Sequence, residues 1–92
     1  MFIDSHCHID FPDFAEAGVA PLLANMAAAG VSHALCVSVS LERLPAILAL
    51  AEAHENLYAS VGVHPDHEDA VEPDVDRLVA LARHPKVVAI GE

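Results

Sequence analysis

Near the N-terminus, His6-Cys7-His8 follows the apolar pair Phe2-Ile3 and the carboxylate Asp4. In an extended strand, side chains two residues apart share a face about 6.6 Å apart along the chain. Two imidazoles so placed reach one cation through bonds of about 2.0–2.1 Å. The same alternation puts Asp4 on the histidine face, positioned to orient an imidazole, and turns Cys7 towards the opposite layer. At the other end of the sequence, Val87-Val88-Ala89-Ile90 runs into Gly91-Glu92. A carboxylate there has two oxygens and can bridge a pair of cations about 3.5–4 Å apart. Between them, His64-Pro65 follows Gly62-Val63, and its imidazole is suited to orienting substrate, holding a phosphate oxygen or assisting proton transfer. The chemistry these residues share is metal binding, with His6 and His8 read as ligands of one cation, Glu92 as a candidate carboxylate ligand or a solvated end, and His64 as the candidate catalytic group.

These residues need strands that end together. Phe2 to Asp4 opens a first strand that runs into His6 and His8. Val31 to Val39 is an apolar and small run fit for a strand buried on both faces. Leu57 to Val63 gives a third strand and Val87 to Ile90 a fourth. Between them lie three helical patterns. The first has Pro21 in its opening turn and Gly30 just past its end. The second begins near Leu44, with Pro45 at its first position. The third begins at Pro73-Asp74, with Val75, Leu78, Val79 and Ala82 inward. Phe11-Pro12-Asp13-Phe14 reads as a loop. The order β-α-β-α-β-α-β predicts an α/β fold with a parallel sheet in order 1-2-3-4 and helices on one face. Each strand turns polar at its C-terminal end, which is where (β/α)8 barrels build their sites. Four strands and three helices correspond to the N-terminal portion of such a barrel, since a complete one takes about 250 residues. Residues 1–92 are therefore expected to be part of a single barrel domain, cut after strand four.

The remaining histidines read as structural: His33 at the start of strand two, and His54 and His84 at helix ends. His67 is expected in solvent and Cys36 in the core. Among 92 residues, 14 acids face four bases, a formal net charge of −10. No basic footprint for nucleic-acid phosphates is present. No apolar run reaches the roughly 20 residues of a membrane span, and the N-terminus lacks the basic and apolar regions of a secretory signal. Two cysteines do not make a disulfide framework, so a cytoplasmic setting is expected.

Phe2-Ile3-Asp4-Ser5-His6-Cys7-His8-Ile9-Asp10 resembles the N-terminal signature of the TatD family of metal-dependent hydrolases. Gly62-Val63-His64-Pro65 resembles that family's turn after strand three. Val88-Ala89-Ile90-Gly91-Glu92 resembles the start of its segment after strand four. The three motifs fall in register over the whole chain. The resemblance implies a TIM-like barrel of amidohydrolase type holding one or two divalent ions, zinc, magnesium or manganese. His6 and His8 would bind one ion, and Glu92 would be shared. Two histidines and an aspartate on later strands would complete the set. The implied activity is that of a deoxyribonuclease cleaving phosphodiesters, with DNA as substrate and no membrane partner, and the 92 residues alone are expected to be inactive. Two other readings stand beside it: an H-x-H barrel hydrolase of carbon–nitrogen bonds, and a non-catalytic metal-binding fragment that pairs with a partner.

Overall fold

The computed structural model describes residues 1–9, 18–65 and 74–91. The loop expected at 11–14, along with Asp10, Asp66, His67, Pro73 and Glu92, lies outside them. Four strands, β1 (Phe2–Cys7), β2 (Val31–Cys36), β3 (Leu57–Val61) and β4 (Val87–Ile90), alternate with helices α1 (Val19–Ala28), α2 (Leu44–Ala53) and α3 (Val75–Ala82). The strands form one parallel sheet in the order β1-β2-β3-β4.

Local chemistry sets the boundaries. Gly30 takes φ +82° just past the end of α1, a conformation that costs glycine nothing. Pro45 lies at the second rather than the first position of α2, where its missing N–H has no helical partner to lose. Asp74 caps α3, its Oδ1 accepting the Arg77 amide at 2.7 Å. The core lies between sheet and helices. Ala34, Cys36, Leu57 and Ala59 alternate inward and meet Ile47 and Ala51 of α2, with Val19, Leu22, Leu23 and Met26 of α1 packed against them.

The strands differ from the expected runs at their C-terminal ends. β1 extends to Cys7, so His6 is a strand residue and His8 follows directly. β2 and β3 stop at Cys36 and Val61, short of Val39 and Val63. Beyond those points side-chain bonds join the remaining backbone ones, among them the His64 amide on the Val39 carbonyl at 2.9 Å. The buried Ser38 hydroxyl is shared between the Ser40 carbonyl at 2.9 Å and the Gly62 carbonyl at 3.2 Å.

Candidate metal centre

The site begins with an irregularity in β1. Asp4 pairs with Ala34 and Cys7 with Cys36, three residues of advance on β1 against two on β2. One residue is extra, as in a β-bulge, and the strict alternation is lost there. Ser5 and His6 both line a hollow on the face of the sheet away from the core. The extra residue frees an amide from the ladder, and Asp4 takes it: Oδ1 accepts the His6 backbone N–H at 3.1 Å. The expected contact of Asp4 with an imidazole is thus replaced by a contact with backbone. Asp4 holds the histidine segment in shape without touching a ring.

His8 is anchored from β2. The Val37 amide donates to the Cys7 carbonyl at 2.9 Å, and His8 Nδ1 lies 3.1 Å from the Val37 carbonyl oxygen. A carbonyl only accepts, so Nδ1 carries the proton and Nε2 presents its lone pair. That Nε2 lies 3.2 Å from His6 Nε2, with the rings edge to face at 77°. Two bonds of about 2.1 Å to a common point, with ends 3.2 Å apart, enclose about 100°, between the ~109° of a tetrahedral and the ~90° of an octahedral cation. Two ring nitrogens at this separation, one on a ring fixed by a carbonyl, fit a divalent metal.

The end of β4 reaches the same hollow. Ile90 and Gly91 line it together with Ser5, His6, Leu35, Val37, Ser60 and Ala89. Gly91 is fixed by two bonds: its N–H donates to the Val61 carbonyl at 2.8 Å, and its carbonyl accepts from Ser60 Oγ at 3.2 Å. Ser60 Oγ also accepts the Ser38 amide at 3.3 Å. A relay of polar contacts therefore runs from β2 through β3 to the residue before Glu92. Gly62 completes it by absence of bulk, because a Cβ there would lie 2.7 Å from the Gly91 carbonyl oxygen.

Half-buried His64 sits at this end of the sheet, its backbone N–H donating to the Val39 carbonyl at 2.9 Å. Among the described residues, no group of three His, Cys, Asp or Glu side chains assembles to hold a metal. The structure thus brings His6 and His8 together, places Gly91 beside the same hollow, and leaves Glu92 outside the described residues. Sequence reasoning missed Ser60, whose signal was a hydroxyl inside an otherwise apolar strand. His33 and His84 lie away from the pair. His33 is stacked on Tyr58 with ring centroids 6.4 Å apart, and His84 Nε2 meets Glu52 Oε1 at 2.6 Å.

Residues 3–92 match the family model described as TatD related DNase. An uncharacterized metal-dependent hydrolase of Escherichia coli, YjjV, is 42% identical over 99% of this chain and 36% of its own length. The crystal structure of that TatD homologue superposes with a TM-score of 0.85 at 41% identity, covering 99% of this chain and 36% of that one. A protein of Enterobacter lignolyticus named 3'-5' ssDNA/RNA exonuclease TatD is 37% identical over 97% of this chain and 34% of its own length. The chain thus spans about a third of the length of the curated relatives it matches. Its four strands and three helices are the N-terminal α/β units of that TIM-barrel fold.

Proposed function

Because the chain belongs to the TatD family of metal-dependent hydrolases, we propose that the protein built on it is a nuclease that cleaves phosphodiester bonds of DNA. The observation that carries this reading is the pair of Nε2 atoms 3.2 Å apart, one of them held in the ligating tautomer by Val37. The names of the exonuclease relatives support the substrate class. A divalent ion held by the pair would supply Lewis acidity for attack of water on phosphorus and neutralise the developing charge. His6 and His8 contribute nitrogen donors that add no charge. Glu92 would contribute a carboxylate to the same ion. His64 contacts the substrate phosphate or moves a proton at the leaving oxygen. With a net charge of −10 and four basic residues, the chain offers a polyanion little attraction. A cytoplasmic setting suits a chain with two cysteines and no disulfide between them.

The test is cleavage of labelled single-stranded DNA by protein carrying the complete barrel, with magnesium, manganese or zinc, beside calorimetric metal titration. Chelation is expected to abolish cleavage and metal to restore it. His6→Ala and His8→Ala are expected to weaken metal binding by more than the ~10–100-fold typical of outer-shell changes. Cleavage that survives chelation, or unchanged metal affinity in both variants, overturns the reading.

A further inference from the structure

The peptide group between Val37 and Ser38 has a partner on each side. Its carbonyl oxygen lies 3.1 Å from His8 Nδ1, and its N–H donates to Ser60 Oγ at 3.3 Å. Ser60 Oγ in turn donates to the Gly91 carbonyl at 3.2 Å. From the imidazole onward every contact is donated in the same direction: ring N–H to carbonyl, amide N–H to hydroxyl, hydroxyl O–H to carbonyl. Bonds arranged head to tail in this way polarise one another, each strengthened by about 10–30%. The line crosses the C-terminal ends of all four strands, from the residue after β1 to the residue after β4.

The middle of this line is the part the ladder does not hold. β2 ends at Cys36, and its pairing with β3 ends at Cys36 and Ala59. The Ser38 hydroxyl is spent on the Ser40 and Gly62 carbonyls, which anchors its side chain and leaves the orientation of the preceding peptide to other contacts. Those contacts are His8 on one side and Ser60 on the other. Ser60 is 3% exposed and Ser38 0%, so water does not stand ready to replace a lost partner. A hydroxyl suits the place because it accepts from the amide and donates to the carbonyl through one atom. We propose that Ser60 is a positioning residue of the metal centre. By holding the Ser38 amide it fixes the plane of the Val37–Ser38 peptide and aims the Val37 carbonyl at His8 Nδ1. The His8 proton is thereby kept on Nδ1 and the Nε2 lone pair left for the ion. The proposal rests on the metal reading above and adds to it a residue that acts through a peptide group rather than through its own bond to the cation.

The test uses protein carrying the complete barrel, with isotope-labelled histidine, and has two readouts. In metal-free protein in alkaline buffer, long-range proton–nitrogen correlation spectra give the His8 tautomer, His8→Ala identifying its signals. Calorimetric titration with zinc gives the affinity. Wild-type His8 is expected in the Nδ1–H form. Ser60→Ala is expected to shift His8 towards the Nε2–H form and to weaken zinc by about tenfold, the low end of the roughly 10–100-fold typical of groups that orient a ligand. Ser60→Thr, which keeps the hydroxyl, is expected to restore both. Should Ser60→Ala fail to fold, Ser60→Cys, whose thiol is a weak donor and a weak acceptor, is expected to move both readouts in the same direction. A wild-type His8 protonated at Nε2 overturns the proposal. So does a tautomer unmoved in folded Ser60→Ala or Ser60→Cys, even where affinity falls, because that is the mark of a merely structural role. A shifted tautomer with unchanged zinc affinity overturns it as well. Zinc affinity unchanged in His8→Ala is a separate result: there the metal reading itself fails, and the proposal falls with it.

Discussion

Gly62 shows how one residue can be required for the space it leaves. Its backbone does not need a positive φ; what it needs is room, since a Cβ would lie 2.7 Å from the Gly91 oxygen and 2.8 Å from the Gly91 carbonyl carbon. Both are main-chain atoms and neither can swing aside. Gly62→Ala is expected to push the end of β4 outward and to cost about 1–3 kcal/mol as overpacking, read by urea denaturation. In protein with the complete barrel the same substitution should weaken metal affinity through Glu92, although no ligand is touched. At this scale the sequence was legible where spacing alone carries the meaning: two histidines two residues apart do converge. It misled at Asp4, because Asp-Ser-His carries no mark of an inserted residue, and the period-two count ran straight through it. Gly62 read as turn punctuation; its contact with a residue 29 positions later (91 − 62) is a tertiary fact.

Among the elements, α3 alone of the three helices has a side-chain N-cap, the other two beginning at Gly18 and Arg43 without one. It is also short, and its exposed stretch includes Val75 and Val79. Its first turn therefore leans on Asp74. Asp74→Ala is expected to lower stability by about 1 kcal/mol, and Asp74→Asn to restore most of it; circular dichroism during thermal melting checks both. The junction after α3 is held elsewhere. The Lys86 amide donates to His84 Nδ1 at 3.1 Å, which leaves the His84 Nε2–H to donate to Glu52 on α2. Lys86 Nζ donates to the His54 and Glu55 carbonyls at the end of α2 and sits 4.2 Å from the Tyr58 ring centroid. A cation on the last carbonyls of a helix complements its dipole. The order and type of every element could be read from hydrophobic period and from Pro, Gly and Asp signals. Strand ends could not, because an apolar residue such as Val39 looks the same whether its backbone pairs with a strand or a loop.

At the scale of the molecule, the parallel sheet separates two kinds of work. The C-terminal ends of the strands gather His6, Ser60 and Gly91 around one hollow, with His8 against His6. The opposite end is tied by Asn56 Nδ2 to the Ser32 carbonyl and by Lys86 to the end of α2. No described helix is long and apolar enough to cross a membrane. The face away from the core stays open, with Ile3, Val88 and Ile90 each 60–67% exposed, all on β1 or β4. The fold class was legible because four strand ends agreed in polarity. The site was legible only in part, because the hydroxyl contacts that fix Gly91 run between strands and leave no mark in residue spacing.

Strand order has a consequence for the exchange of amide hydrogens with solvent. β2 and β3 have a strand on each side, whereas β1 and β4 each pair along one edge. In an edge strand, alternate N–H groups point away from the sheet. The isolated 92-residue chain in deuterated buffer should therefore show uniform slow exchange along Ala34–Cys36 and Leu57–Val61. Along Phe2–Cys7 and Val87–Ile90, slow and fast amides should alternate, with breaks at Ser5–His6 and at Val88, where each strand carries an extra residue. Residue-resolved exchange by NMR would read that pattern as a direct trace of the bulge that sets the histidines. An alternation that runs unbroken through Ser5 and His6 would mean that the irregularity is absent in solution.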